Sequence, residues 1–407
     1  MSKPNGAYAP AHNHVDYDIH GLVGIRLLNP ATGDEEAVSR QLGPLKKALN
    51  REPDIVVRFV EHIPITGLRH LTLNENGFTD DSFFILRSSK KAARVKIAFE
   101  QVGSKQCEII CETGVRAVPL LLALVNLTML RKDCVALHAS GFVYQDTGIV
   151  VTGWAKGGKT ETLLSFAAHG GRYVGDEWIL LSGDGQKMYG IPEVIRLWDW
   201  HIENLPHVRR EVKRENLMMF KAIHGLDNFQ QNLNGPFGKM LPIKLLREGM
   251  PRIKRQLNVR VEPEVVFGDR FGPFSARPDK IFFALSHADA TTTVEPMSPA
   301  AIAKHMISSI RFEQIPFMQH YLAFKFAFPE RANEFLDHVH EVQYEILHRA
   351  LSGKEAYTVR HPYPVSFQDL YEKMKPYCES VVTPSGVPAS RKENRLVAMS
   401  SAGLMKS

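Results

Sequence analysis

Short runs rich in β-branched and aromatic residues recur through the first third of the chain: "HGLVGIRLL", "PDIVVRFV", "SFFILRSS", "ARVKIAFEQ" and "KQCEIICE". Turn-forming residues separate them at strand-like spacing, so 17–131 reads as a β-rich N-terminal region. The apolar stretch "AVPLLLALVNLTML" closes it and predicts a buried helix over 114–131. Two more strands, "CVALHASGFVYQ" and "GIVVTG", are joined by the turn signal "DTG". Beyond them "DEWILLSGDGQKMYGIP" predicts a hairpin with "GDG" at its tip. From about residue 200 to 272 the period is mixed. "HIENLPHVRREVKRENLMMF" has helical character, and "MPRIKRQLNVRVEPEVVFGD" is basic and then strand-like. "DKIFFALS" and "TTTVEP" return as strands. "SPAAIAKHMISSIRF", "IPFMQHYLAFKFAF" and "ERANEFLDHVHEVQYEIL" carry helical spacing, the first entered through Ser298 as N-cap and Pro299 as N1. A strand "AYTVRH" and a helix "VSFQDLYEKM" finish the pattern. The polar ends, 1–16 and 381–407, show no sustained period and read as disordered. The fold class expected is α/β (α+β): a β-rich 17–131 region, then a mixed, hairpin-rich sheet with C-terminal helices over 132–375.

Length and composition narrow this further. A chain of 407 residues, 44% hydrophobic, can bury a large core and suggests two or three folding units at ~150 residues each. The net charge of +6 is spread along the chain without the interleaved aromatics of single-strand readers, which argues against nucleic acid and suits a phosphate-rich small ligand. Cys107, Cys111, Cys134 and Cys378 have neither zinc-ligand nor disulfide-framework spacing, so reduced thiols and a cytoplasmic location are expected. The start lacks the apolar core of a signal peptide. Ala117 to Leu130 is 14 residues, short of the ~20 a membrane span requires.

The segment "GIVVTGWAKGGKTETLLSFAAHG" then supplies candidate chemistry. Gly153, Gly158, Lys159 and Thr160 satisfy G-x-x-x-x-G-K-S/T between an apolar strand and a helix, the setting a P-loop needs. Glycines let successive backbone N–H groups of the Gly153, Trp154, Ala155, Lys156, Gly157, Gly158 run face phosphate oxygens, and the helix N-terminus adds partial positive charge. Lys159 neutralises β- and γ-phosphate charge, and Thr160 offers a hydroxyl to Mg²⁺. ATP and Mg²⁺ are therefore the expected cofactors.

A metal carboxylate and a base are sought next. Asp176 and Glu177 follow the helix, with apolar "WILL" behind them rather than in front, which points away from a doubly wound nucleoside-kinase architecture. Adjacent strand residues face opposite ways, so both acids reach one site only if the backbone is irregular; Gly175 is the candidate bulge. His138, one tight turn before the P-loop strand, can lie beside the cradle if the two strands pair.

The order "LHAS", "GIVVTGWAKGGKTETLL", "HGGRYVGDEWILL" resembles HPr kinase/phosphorylase and the HPr-kinase-like proteins that share a P-loop sheet with phosphoenolpyruvate carboxykinase. The resemblance covers 134–182. It implies that His138 lies at the active centre, that Lys159 and Thr160 meet phosphate and Mg²⁺, and that Glu177 takes the proton-accepting position with Asp176 as the acid before it. Departures are visible: His138 is followed by Ala-Ser-Gly, Lys156 stands where the family usually has Gly, and the second acid is Glu. A loose echo of the family's Leu-Glu-Ile-Arg-Gly segment, "IPEVIRLWDW", would make Glu193 a second metal ligand and Arg196 a phosphate contact. The family's arginine-glycine-rich C-terminal segment has no counterpart.

The expected activity is ATP-dependent, Mg²⁺-requiring phosphorylation of a hydroxyl, of the serine class, in a small protein, peptide or small molecule. Lys159 and the loop amides hold the nucleotide triphosphate, Thr160 and Asp176 the metal, Glu177 accepts the proton and His138 assists in charge placement. An arginine from the basic 243–260 stretch is a further candidate. The rival readings are a non-catalytic nucleotide-binding module and a carboxykinase-like enzyme. A homo-oligomer is compatible with either.

Overall fold

The computed structural model describes residues 13–72, 75–87, 92–232, 250 and 257–379. The expected disordered tail 381–407 and most of the 1–16 segment lie outside these, although His14–Asp16 already pair in the first strand. Of the basic 243–260 stretch, 243–249 and 251–256 also lie outside.

Two mixed sheets and their helices make this a mixed α/β structure. The first sheet contains β1 (His14–Ile19), β2 (Val23–Leu28), β3 (Ile55–Val60), β4 (His70–Thr72), β5 (Asn76–Phe78), β6 (Ser82–Arg87), β7 (Ala92–Ala98) and β8 (Cys107–Glu112). Their order is β1-β2-β3-β8-β7-β6-β5-β4. Helix α1 (Thr32–Leu42) makes the crossover that lets β2 and β3 run parallel. Helix α2 (Leu121–Leu130) is shorter than the expected 114–131, because Leu120 is in left-handed backbone at φ 60° and Pro119 precedes it.

The second sheet begins with β9 (Cys134–Tyr144) and β10 (Thr147–Gly153), paired antiparallel from Tyr144↔Thr147 to Ala139↔Thr152. The turn falls at Gln145 and Asp146, both at positive φ, one step before the expected "DTG". After helix α3 (Lys159–Ala167) come β11 (Arg172–Gly175), β12 (Trp178–Ser182) and β13 (Met188–Gly190). β12 and β13 form the expected hairpin. A separate two-stranded pair joins β14 (Ile195–Leu197) to β15 (Val259–Val261). With β16 (Ser275–Ala276), β17 (Lys280–His287), β18 (Thr293–Pro296) and β19 (Glu355–Pro362), the main order is β16-β13-β12-β9-β10-β17-β19-β18, with β11 also on β9. β10, β17 and β19 run parallel, so their common ends gather the loops that follow them.

Both faces of this sheet are covered. One core cluster packs Phe142, Ile149 and Val151 against Leu163, Phe166, Leu370 and Met374. The other joins Val135, Leu137, Ile179 and Leu181 to the first sheet, α2 and the helix Pro299–Ala327, so the core is continuous across residue 131. That helix fuses the first two helical segments expected from the pattern. Pro316 forfeits one backbone bond, but Met306, Ile310, Phe317, Tyr321 and Phe324 bury one stripe along both halves and outweigh the loss. The third expected helix is split, at His338, into Glu334–Asp337 and Val339–Leu351. Among the described residues no helix is long and apolar enough to cross a membrane. All four cysteines are free and buried.

Candidate active site

Where β10 ends, the chain turns through Gly153–Gly158 into α3, whose first residue is Lys159. Gly158 is in left-handed backbone at φ 97°, and a Cβ there would meet His361 Nε2 at 2.0 Å. That ring nitrogen lies 2.9 Å from the Gly157 carbonyl, so β19 braces the loop from behind. Lys156 is also left-handed, at φ 64°. Its backbone conformation is the one glycine adopts freely, which accounts for the strain of a lysine at this position.

The loop borders a cavity of about 830 Å³ lined by Ala155 through Glu161 together with His138, Asp176, Glu177, Arg196, Phe312 and Glu313, and by the aromatic Trp198 and Tyr363. Gly153, Trp154 and Glu193 are not among its lining residues. Trp154 is half-exposed and packs on Phe312 with ring centroids 4.9 Å apart. Lys159 is buried, and its Nζ donates to the Trp154 carbonyl at 2.8 Å. Burial pulls its pKa down, while Glu177 and Asp176 hold it up in part.

The two acids reach the site through an irregular backbone. The β9–β11 register slips between Tyr173 and Gly175, and Glu177 takes a left-handed φ of 64°. Both carboxylates therefore line the cavity, as the Gly175 bulge was expected to permit. Asp176 is buried and accepts from Thr160 Oγ1 at 3.0 Å and from the Ser140 hydroxyl. Burial and the neighbouring Glu177 charge push its pKa up to about 6. Glu177 is held below the usual carboxylate range by its bond to His138, against the opposing effect of burial.

His138 stands between two carboxylates. Its Nε2 is 2.9 Å from Glu177 Oε2 and its Nδ1 2.8 Å from Glu313 Oε1. Burial disfavours the charged ring, but the two hydrogen bonds outweigh it and raise the pKa. Glu313 is on the helix Pro299–Ala327, 175 residues from His138. No local spacing pointed to it. Ser140 was legible in principle, because residues i and i+2 of a strand share a face and His138 had already been singled out.

Glu193 is half-buried and close enough to Glu177 and Asp176 for their charges to act on it. Its Oε1 has no hydrogen-bond partner, and burial with the Glu177 charge pushes its pKa up to about 8. Arg196, in β14, lines the cavity. Among the described residues no group of three His, Cys, Asp or Glu side chains is arranged as a metal cage. Mg²⁺ does not require one, since it binds through one or two carboxylates plus phosphate oxygens and water. The Asp176–Thr160 pair fits that donor set, and the unpartnered Glu193 oxygen is a further candidate donor. Polyphosphate placed against Asp176 and Glu177 would be repelled without a cation between them. No protein-family model matches the chain, and no curated protein matches it.

Proposed function

We propose that this chain is an ATP-dependent, Mg²⁺-requiring kinase that phosphorylates a hydroxyl, of the serine class, in a small protein, peptide or small molecule. On this reading Gly153–Thr160 is a P-loop, carried by a sheet of the HPr-kinase and phosphoenolpyruvate-carboxykinase type. The observation that carries the reading is the convergence on one cavity of a helix N-terminus with its lysine, a hydroxyl–carboxylate pair (Thr160–Asp176) and a second carboxylate held by a histidine (Glu177–His138). Nucleotide binding alone gives no use for the second carboxylate.

Loop amides and Lys159 hold the triphosphate, and Lys159 exchanges its bond to the Trp154 carbonyl for one to phosphate. Asp176 and Thr160, with Glu193 as a further candidate, would hold Mg²⁺, which draws negative charge from the phosphates when bound. The acceptor hydroxyl oxygen bonds to the γ-phosphorus as the bond from phosphorus to the β,γ-bridging oxygen breaks, and the hydroxyl proton passes to Glu177. Glu177's lowered pKa keeps it ionised at neutral pH, and a loose phosphoryl-transfer transition state asks little of the base beyond position. His138, bonded to Glu177 and Glu313, fixes the base, and its raised pKa favours the charged ring that would offset charge near the transferring group. On the same reading Arg196, which lines the cavity, meets phosphate.

Calorimetric titration of the full chain with ATP tests the binding half of this reading. Binding that requires Mg²⁺ and is lost in Asp176→Asn is expected. ATP binding of equal strength without Mg²⁺, or none at all, would contradict it. MgATP binding without transfer to any acceptor would favour a non-catalytic nucleotide-binding module.

A further inference from the structure

The helix Pro299–Ala327 turns one face to the core and another to solvent. On the outer face Phe312 (45% exposed), Ile315 (51%), Leu322 (61%) and Phe326 (91%) stand open, with exposed Gln319 between them. The steps from 312 to 315, 319, 322 and 326 alternate three and four residues, the a/d spacing of a helix that packs on another helix. They also read nearly the same from either end. Laid antiparallel on its own copy about Gln319, the stripe sets Phe312 against Phe326, Ile315 against Leu322, and Gln319 against itself. A glutamine amide carries both donor and acceptor, so two of them across a twofold axis satisfy one another. A partner of different sequence would call for no such symmetry.

The area suffices. At these exposures the four apolar side chains offer roughly 500 Å² per copy, so a pair removes about 1,000 Å² from water before flanking residues are counted, the lower bound for a specific interface.

We propose that two copies of this chain associate through these helices, antiparallel, about a twofold axis at Gln319. Because Phe312 also lines the cavity and packs on Trp154, the partner's Phe326 lies at the mouth of the site. Association does not depend on the kinase reading.

Sedimentation velocity of the full chain at about 1–50 μM should give twice the 45.8 kDa of one chain. Leu322→Glu and Phe326→Glu should sediment as single chains with unchanged circular dichroism. Gln319→Cys tests the register, since the four native cysteines are buried. Mild oxidation should link most of this variant into covalent dimers, whereas Leu322→Cys, facing Ile315, should link far less. A wild-type single chain throughout that range, a dimer untouched by either glutamate, or a Gln319→Cys variant that does not cross-link overturns the proposal.

Discussion

Glu313→Gln separates the charge of the helix-borne carboxylate from its shape. The amide oxygen can still accept from His138 Nδ1, so the ring keeps a hydrogen-bond partner and loses only the negative charge beside it. A hydrogen bond to a charged group contributes about 1.5–3 kcal/mol. With the Glu313 side chain about one-quarter exposed, solvent screening reduces this to about 1–2 kcal/mol. The sign follows from linkage. The folded-state pKa of His138 is raised above 6.5, so its stabilising contribution is fully present below 6.5 and is lost as pH rises through the folded value. The groups facing the ring are Glu177, Glu313 and, opposing its charge, Lys159. Urea denaturation near pH 6 should therefore show Glu313→Gln less stable than wild type by about 1–2 kcal/mol, and denaturation near pH 9 should show almost no difference. An equal loss at both pH values, or none at pH 6, would refute a charged His138 between two carboxylates.

Other outcomes follow from the loop. Lys159→Ala should reduce MgATP affinity about 100-fold or more in a calorimetric titration while thermal unfolding changes little, since the ammonium's hydrogen bond is to the Trp154 carbonyl. Gly158→Ala should destabilise the fold by about 2–4 kcal/mol in urea, because the added Cβ meets His361 and the backbone is left-handed. MgATP should shift tryptophan emission through Trp154, and that shift should vanish in Trp154→Phe; a full shift in the variant would place the reporting tryptophan elsewhere.

What the sequence made legible is what depends on near neighbours. The β9–β10 hairpin, the β12–β13 hairpin and the β10–loop–α3 unit are specified within a few residues by turn chemistry and β-branched runs, and the structure builds them where expected. Elements decided by distant packing were harder to read. The pattern gave two helical segments, ending at Phe312 and restarting at Ile315, yet buried residues on both sides carry one helix through Pro316. The early part of 114–131 looked as helical as the rest, but Pro119 and the left-handed Leu120 postpone the helix to Leu121. Within the site, Thr160, Asp176, Glu177 and His138 were found by spacing from the loop. Glu313 was not, because a lone glutamate in "RFEQIPF" acquires meaning only when the chain returns to place it on His138. The stripe Phe312–Phe326 was hidden for a related reason. An apolar position in a helix reads as core, and which of two apolar faces remains open is settled by the tertiary packing.

The central claim is phosphoryl transfer by this cavity, and the most direct measurement is acceptor labelling from ATP carrying a labelled γ-phosphate, with the full chain compared with Glu177→Gln. The acceptor is sought in a cell lysate by mass spectrometry of the labelled species. The account predicts that wild type labels a hydroxyl in the presence of Mg²⁺, and that Glu177→Gln binds MgATP within a few-fold of wild type yet transfers ~100-fold or more slowly. Undiminished transfer by Glu177→Gln, or MgATP binding by wild type with no labelled acceptor, would contradict it.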